Sequence, residues 1–439
     1  MTHHIWKFKG AYLPSQEWIE PAFVTISLQF NVVSVSSECS QNIEKNIDAY
    51  LLPGFVNAHC HAFQYSMAGQ AERADAKDIG QDDFWTWRQT MYGLAESMTP
   101  DLLFKAASRC YELMLRHGIT RVTEFHYLHH QPGGLRYKRQ TEMAEQLLSA
   151  AESVGINLTM VPVYYQQNSL DGSILHIQKR FRFEHFNDYM SYLNELQTVA
   201  AGFSNAIVGS GAHSLRAVGA DICKEIFHNQ KFPGPRHIHA AEQKAEVSSC
   251  IKYLQTTPIK WLLDNTSLDE NCHIVHATHA TKDELAGLVE AQANVVLCPS
   301  TEANLGDGFF DLEHFRNMGG SFSIGTDSCV GMSLFEELRW LDYGLRLQKE
   351  KRVVLARDQE LDSAKYLFKQ MIVSGRGAGG LKNRDDWFAT GLPLDATLID
   401  PSFGNLQNLS VKDRIAHLIY CGDISAIKGT IVSGKLKII

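Results

Sequence analysis

The chain has no paired cysteines, no long apolar run and no excess of basic residues. Its nine cysteines are scattered singly over 439 residues without a CxxC pair, so we expect reduced thiols and a cytoplasmic location rather than a disulfide framework. The opening residues, MTHHIWKFKG, lack the apolar segment of a secretory signal, and no run approaches the length of a membrane-spanning helix. With 41 basic against 49 acidic residues, the net charge is -8. We therefore expect neither a membrane nor a nucleic acid as partner.

What the sequence has instead is a regular alternation of short apolar runs with helix-length segments. One helix is legible in detail, with Thr99 as its N-cap, Pro100 in the first helical position and Gly118 as its stop signal. The apolar runs, each ending in polar residues, are LLPGFVNAHCH, ITRVTEFHY, INLTMVPVYY, NAIVGSGAHS, RHIHAAEQ, CHIVHATHA, ANVVLCPST and SFSIGTDS. Eight strands with helical crossovers predict an α/β fold, a (β/α)8 TIM-type barrel, over residues 51–390.

The two ends of the chain, residues 1–50 and 391–439, have a different pattern. WKFKGAYL, FVTISLQFNVVSV and DISAIKGTIVSGKLKII alternate like strands and show no helical period. We predict that they form the two parts of a small β-sandwich beside the barrel; extra edge strands with no shared sheet are the alternative. The most basic stretch, HIQKRFRFEHF at residues 176–186, we interpret as a solvated loop or helix. Residues 166–200 could form either a lid over a substrate or an inert excursion.

Polar residues collect at the carboxyl ends of the predicted strands, where TIM barrels place catalytic groups. These residues are His59, His61, Tyr127, His213, His239, Glu242, His276 and Asp327. His59 and His61 are two positions apart, so in a strand they project from the same face, as two metal ligands must. Taken alone, His276 could be a core histidine bonded to a backbone carbonyl, and Asp327 could be a turn cap. Together the imidazoles and the carboxylate predict a site for Zn²⁺ or another transition metal.

The order HxH, HxxE, His, Asp resembles that of the amidohydrolase superfamily. The fourth run ends in GSGAHS without the lysine that binuclear members carbamylate, and neither HExxH nor PCxxC occurs. The resemblance therefore implies a mononuclear deaminase with one Zn²⁺ per subunit. It implies His59, His61, His239 and Asp327 as metal ligands, and proton transfer by Glu242. Either His276 or Asp327 would act as the general base.

Several longer segments resemble the N-formimidoyl-L-glutamate deiminase family of histidine degradation, over about residues 50–350. They are PGFVNAHCHAFQYSMAG, DDFWTWRQTMY, TEFHYLHH, GAHSLRAV, HIHAAEQ, HATHA and GTDS. DDFWTWR and GAHSLRAV are the discriminating motifs, because HxH and GTDS occur across the superfamily. The resemblance implies hydrolysis of N-formimidoyl-L-glutamate to N-formyl-L-glutamate and ammonia, and a homodimer. It also implies a substrate site lined by Gln64, Arg88, Tyr127, His213 and Arg216.

The two arginines suit a small-molecule dicarboxylate substrate, because the planar guanidinium pairs bidentately with a carboxylate. Two less specific roles stay open at this point: Arg88 as a surface arginine stacked on Trp85 or Trp87, and Tyr127 as a packing residue. Two other functions also stay open. One is a mononuclear deaminase of the same superfamily acting on a heterocyclic amine, and the other is a catalytically silent scaffold barrel.

Overall fold

The computed structural model describes residues 3–73, 84–228, 234–358 and 360–438. Its strands are β1 His4–Leu13, β2 Glu17–Ile19, β3 Ala22–Ile26, β4 Val32–Ser36, β5 Lys45–Pro53, β6 Phe55–Cys60, β7 Ile119–His126, β8 Asn157–Tyr164, β9 Ile207–Val208, β10 Ser210–Ser214, β11 Arg236–Ala240, β12 Cys272–His276, β13 Asn294–Leu297, β14 Phe322–Ile324, β15 Ala396–Ile399, β16 Ile427–Val432 and β17 Lys435–Ile438. The α-helices are α1 Phe84–Ser97, α2 Pro100–Arg116, α3 Glu142–Val154, α4 Phe186–Ala200, α5 Ala220–His228, α6 Lys244–Leu254, α7 Pro258–Asn265, α8 Lys282–Glu290, α9 Pro299–Leu305, α10 Leu312–Asn317, α11 Leu334–Lys349, α12 Ser363–Ala378 and α13 Arg414–Cys421. Short 3₁₀ helices lie at Ala62–Met67, Pro132–Gly134, His176–Phe181, Phe403–Asn408 and Ile424–Ala426.

The larger sheet is a parallel barrel. Its strands follow the order β14–β13–β12–β11–β10–β8–β7–β6, and the short β9 pairs with β8. A parallel bridge between Cys60 and Asp327 joins the end of β6 to the segment after β14, so the first and last barrel strands meet. The predicted (β/α)8 barrel is confirmed, and every one of the eight apolar runs contains a strand of it.

Helix α2 shows how the local sequence builds one barrel unit. The Thr99 hydroxyl accepts a hydrogen bond from the Leu102 amide at 3.2 Å, and Pro100 occupies the first helical position. Gly118 follows with φ of +82°, a left-handed conformation that glycine adopts without strain. The buried face of α2 includes Leu103 and Met114, and the next strand, β7, is buried over its whole length. Helix and strand therefore share one apolar layer.

The smaller sheet takes strands from both ends of the chain. It has eight strands in the order β17–β16–β15–β5–β1–β3–β4, with β2 paired to β1. The pairing is antiparallel except between β1 and β5, which run parallel. Strands from both ends of the chain therefore share one mixed sheet beside the barrel, as predicted, and the alternative of edge strands without a shared sheet is wrong; the domain boundaries stay a prediction.

The basic stretch at residues 176–186 is solvated only in part: His176, Lys179, Glu184 and His185 are exposed, but the side chains between them are largely buried, and for those the interpretation is wrong. Gln178 and Phe181 are buried, and Arg180 is fully buried despite its charge. Both terminal nitrogens of the Arg180 guanidinium donate to backbone carbonyls around the end of α1, those of Ala95 and Met98, which offsets the cost of burying the cation. This stretch therefore packs against the end of α1.

Among the described residues, no helix combines the length and the apolar character needed to span a membrane.

Candidate active site

Four buried side chains converge at the carboxyl end of the barrel. His59 and His61 come from the end of β6, His239 from β11, and Asp327 from the loop after β14; their ligand atoms all lie within 4.8 Å of one another. Asp327 Oδ1 is 3.2 Å from His61 Nε2 and 3.5 Å from His59 Nε2, and His239 Nε2 is 3.0 Å from His59 Nε2. The structure thus brings together the four residues that the sequence predicts as metal ligands.

The hydrogen bonds on the far side of two rings fit a metal ion. His61 Nδ1 is 2.9 Å from the carbonyl oxygen of Phe125, and His239 Nδ1 is 3.1 Å from that of His213. A carbonyl only accepts, so both Nδ1 atoms carry the proton and both Nε2 atoms present lone pairs to the centre. A proton on His59 Nε2 could form a hydrogen bond with only one or two of the neighbouring acceptors. A metal ion would instead coordinate one atom from each of the four side chains. The donor set therefore fits a metal ion, in the arrangement that such ligands usually have.

Burial and mutual contacts set the protonation of this group. Burial lowers the pKa of His59 to about 4 and holds the pKa of His239 well below its ordinary value. Although burial raises the pKa of Asp327, its hydrogen bonds with His59 and His61 outweigh this and keep the pKa well below the usual range. Asp327 in turn raises the pKa of His61 against the effect of burial. The low pKa values favour neutral imidazoles at His59 and His239 beside a charged carboxylate, and these are the forms in which histidine and aspartate ligate metals.

His276, at the end of β12, has side-chain carboxylates near each of its two ring nitrogens. Its Nδ1 is 3.1 Å from Glu302 Oε1, and its Nε2 is 3.7 Å from Glu242 Oε1 and 3.8 Å from Asp327 Oδ2. Burial alone would lower the pKa of His276, but Glu242 and the other two carboxylates raise it to about 10. The reading of His276 as a core histidine bonded to a backbone carbonyl is wrong, because its partners are side-chain carboxylates.

Two of these residues are held in an unusual backbone conformation. His276 has φ of +73° and Asp327 has φ of +46°, which non-glycine residues rarely adopt. The Asp327 backbone is fixed by the His61 amide, which donates to its carbonyl at 3.0 Å, and by its own amide, which donates to the His59 carbonyl at 3.0 Å. Such strain persists only where the surroundings enforce it, and it is concentrated at functional sites.

We call His59, His61, His239 and Asp327 the ligand group. A small chamber of about 50 Å³ lies beside it. Its lining residues are His61, Gln64, Phe84, Trp87, Arg88, Met91, Tyr127, His213, Arg216, His239, Glu242, His276, Leu305 and Asp327. Every residue that the sequence predicts for catalysis or substrate binding is in this set, and His59 completes the ligand group behind it. Their individual roles stay predictions. An outer cavity of about 400 Å³ shares Arg88 and Arg216 with the chamber.

Both arginines are buried, and no carboxylate of the described residues forms a contact ion pair with them, although Arg216 partly offsets the rise that burial causes in the pKa of Glu246. Each is 7% exposed. The Arg88 guanidinium donates to the Tyr165 hydroxyl at 3.1 Å and lies 5.4 Å from the ring of Trp85. One terminal nitrogen of Arg216 is buried with no hydrogen-bond acceptor within the described ranges. The predicted stacking of Arg88 on Trp85 exists, but a surface position for it is wrong. Buried guanidinium groups without a carboxylate partner of their own are suited to bind an anionic ligand.

Gln64 and Tyr127 form one unit of the chamber wall. The Gln64 amide donates to the Tyr127 hydroxyl at 2.9 Å, and the Gln64 carbonyl oxygen is buried with no donor among the residues described. The ring of His213, partly buried, packs edge-to-face between those of Tyr127 and His239, at centroid separations of 5.5 and 5.1 Å. Tyr127 therefore has a polar contact in addition to its packing. Asp82 and Asp83 of the DDFWTWR motif lie outside the described residues.

Sequence reasoning missed Glu302, which holds His276. Glu302 Oε1 accepts from the Cys298 amide at 3.0 Å as well as from His276, so the carboxylate is anchored at the start of α9. A signal was present, because an acidic residue directly follows the seventh apolar run, ANVVLCPST. That run had supplied no candidate, although strand ends of this barrel carry functional groups elsewhere.

Comparison with known proteins gives the same family from sequence and from structure. The model of the amidohydrolase family matches residues 50–374. A formimidoylglutamate deiminase from Pseudomonas aeruginosa is 34% identical over 428 residues, which cover 97% of this chain and 92% of the relative. The crystal structure of an amidohydrolase from Brucella melitensis superposes with a TM-score of 0.90 at 33% identity, covering 99% of this chain and 94% of that one. An adenosine deaminase from Xanthomonas campestris with bound zinc shares the fold, with a TM-score of 0.79 at 19% identity over 99% of this chain and 92% of that one.

Proposed function

Because this chain belongs to the amidohydrolase family, we propose that it is a zinc-dependent deiminase that hydrolyses N-formimidoyl-L-glutamate to N-formyl-L-glutamate and ammonia. The main support for this substrate is the pair of buried arginines beside the chamber, Arg88 and Arg216. The likeness to the Pseudomonas aeruginosa enzyme supports the same substrate. Zinc is supported by the His/His/His/Asp donor set and by the zinc in a relative of the same fold.

The metal and two proton-handling residues divide the chemistry. A zinc ion held by His59, His61, His239 and Asp327 would supply a Lewis acid that lowers the pKa of water in the chamber. Because Glu302 holds Nδ1 of His276, only Nε2 of that ring is left to take or give a proton within the chamber. We assign the general base to His276 for this reason, with Asp327 as a ligand. The pKa of about 10 reflects a ring that faces three carboxylates, and a cation held by Asp327 would lower it toward neutrality, so that Nε2 could accept a proton.

Glu242 is suited to carry a proton to the departing nitrogen. Burial raises the pKa of its carboxyl to about 7, although His276 lowers it, so both protonation states are accessible near neutral pH. Its Oε1 lies 3.7 Å from His276 Nε2. A proton taken up at His276 is therefore close to the carboxylate that would deliver it to the nitrogen leaving as ammonia.

The substrate carboxylates would point away from the metal, toward the two arginines. Arg88 and Arg216 line both the inner chamber and the outer cavity, so the glutamate part of a substrate that extends from the chamber would lie beside both. Gln64, Tyr127 and His213 line the inner chamber and would contact the amidine head or the carbon next to it. Two fixed cations select a dicarboxylate over a neutral ring, whose binding needs an apolar slot.

The test is ammonia release by zinc-loaded protein from N-formimidoyl-L-glutamate, N-formimidoyl-glycine and guanine. Turnover of the first alone supports the proposal. Turnover of guanine alone would contradict the substrate and retain a zinc deaminase acting on heterocyclic amines. Absence of turnover together with absence of stoichiometric zinc would instead support the silent barrel.

Two variants test the arginine argument directly. Arg88→Met and Arg216→Met should each lower kcat/KM on N-formimidoyl-L-glutamate by about 30-fold or more, since truncating one partner of a buried charge pair costs about 2–5 kcal/mol. The matched control is Arg109→Met, which removes an exposed arginine of α2 and should change little. Equal losses in all three variants would contradict the assignment.

A further inference from the structure

Gln178 is a buried side chain in the segment whose role the sequence left open. It lies on the 3₁₀ helix His176–Phe181 and is only 1% exposed. Leu175 and Asn168, in the same excursion, line the outer cavity beside Arg88 and Arg216. The segment therefore forms a wall of the cavity that holds the two arginines.

The Gln178 amide is fixed on all sides. Its Nε2 lies 2.7 Å from the Tyr92 hydroxyl, 2.9 Å from the Tyr165 hydroxyl and 2.9 Å from Asn168 Oδ1. Its Oε1 accepts from the Leu175 amide at 3.1 Å, which settles which end of the amide is the oxygen. Three acceptors thus surround the two hydrogens of one buried nitrogen.

Both tyrosines that this amide holds are in contact with Arg88. The Tyr165 hydroxyl accepts from Arg88 at 3.1 Å as well as from Gln178, and the ring of Tyr92 lies 5.0 Å from the Arg88 guanidinium carbon. Cation–aromatic attraction and the hydrogen bond fix the plane of the guanidinium only while both rings are held in place. Gln178 itself has no contact with the ligand group or with the chamber.

We propose that Gln178 is a positioning residue that sets the affinity of the site for one substrate carboxylate by fixing Arg88 through Tyr92 and Tyr165. The segment at residues 166–182 then contributes to substrate specificity as a fixed wall of the outer cavity, and it is neither a lid nor an inert loop. This inference deepens the proposed function and rests on its dicarboxylate substrate. Because the contact is remote from the reacting carbon, Gln178 acts on binding of ground state and transition state alike.

The experiment measures Gln178→Leu in two backgrounds, the wild type and Arg88→Met. The readouts are KM and kcat for N-formimidoyl-L-glutamate and, independently of turnover, calorimetric binding of glutarate to the zinc-loaded protein. In the wild-type background we expect KM to rise about tenfold to hundredfold with kcat within threefold, and glutarate affinity to fall by the same factor. In the Arg88→Met background the same change should have less than a twofold effect, because its target is gone.

Truncated substrates identify the carboxylate concerned. N-formimidoyl-4-aminobutyrate lacks the α-carboxylate, and N-formimidoyl-L-norvaline lacks the γ-carboxylate. The penalty of Gln178→Leu should vanish on the one that lacks the carboxylate bound by Arg88 and persist on the other. The matched control is Gln140→Leu, which removes a half-buried side-chain amide that bonds Glu195 instead; it should leave KM unchanged.

Three results would overturn the inference: equal factors in both backgrounds, a fall in kcat with unchanged KM, or the same loss from Gln140→Leu. The two proposals fail separately. Glutarate binding that depends on Gln178 only when Arg88 is present, without ammonia release from N-formimidoyl-L-glutamate, supports the positioning role and contradicts the substrate. A wild-type protein that neither binds glutarate nor turns over the substrate overturns both.

Discussion

Replacing Glu242 with glutamine should remove catalysis and leave the metal site intact. Glu242 is 8% exposed, and it is not one of the four residues whose ligand atoms converge. Glutamine has almost the same shape, and the Glu242 backbone amide, which donates to Glu246 at 3.0 Å, is unchanged. The substitution therefore removes the ability to exchange a proton and little else.

The magnitude follows from the role. A positioned general acid or base contributes about 10²–10⁴ in rate, which corresponds to about 3–5 kcal/mol of activation free energy. We expect kcat of Glu242→Gln to fall by that factor, with zinc content within error of the wild type. The assay is steady-state ammonia release combined with metal analysis of the purified variant.

A matched control separates proton transfer from burial. Glu337 is 1% exposed and accepts from the Ser300 amide at 2.8 Å, but it does not line the chamber, so Glu337→Gln should retain activity. Full activity of Glu242→Gln, or an equal loss in both variants, would refute the reasoning. So would loss of zinc from Glu242→Gln, since Glu242 would then belong to the metal site.

Three further predictions concern stability and thiol chemistry. Chelation should lower the melting temperature and zinc should restore it, because an ion at 100 times its dissociation constant adds about 2.7 kcal/mol; thermal denaturation of His239→Ala should show no such shift. Burial raises the pKa of Glu337 to about 8 from 4.5, so its contribution to stability is present below pH 4.5 and is lost as pH rises through 8. In urea unfolding, the free energy of unfolding of Glu337→Gln minus that of the wild type should therefore rise between about pH 5 and about pH 9, by up to about 5 kcal/mol. A difference that stays constant across this range would contradict the burial argument. A thiol reagent should modify Cys421 quickly and Cys39 more slowly in the native protein, and the seven buried cysteines only after unfolding; fast reaction of more than two would refute the packing.

The barrel and the ligand group were predictable because their signals are local and repeated. Alternation of apolar runs with helical segments, together with caps such as Thr99, identifies strand–helix units without knowledge of distant contacts. Once a barrel is assumed, the ends of its strands must meet at one face. His59, His239 and Asp327 could therefore be placed together from strand position alone.

The residues that were missed or misread depend on packing between distant parts of the chain. Gln178 and Arg180 stand in a polar, basic stretch whose composition resembles that of a solvated loop. They are buried because α1 and the end of β8 supply acceptors for them, including Tyr92, Tyr165 and the carbonyl of Met98. No pattern in residues 176–186 reports those partners. Glu302 differs, since its position directly after a strand was visible in the sequence; what the sequence does not show is the contact of its carboxylate with the His276 ring.

The seam between β6 and the segment after β14 links catalysis to the order of folding. Asn57 and Thr326, 269 positions apart, exchange two hydrogen bonds of 2.7 and 3.0 Å, and the bridge of Cys60 with Asp327 lies beside them. Two of the predicted metal ligands, His59 and Asp327, are therefore neighbours only after the ring of strands has closed. Contacts of long sequence separation are slow to form, so the complete set of predicted ligands comes together only once the barrel has closed. Metal occupancy would then report closure of the barrel, and a circular permutation that joins the natural ends and breaks the chain at another loop would bring His59 and Asp327 closer in sequence and weaken this coupling.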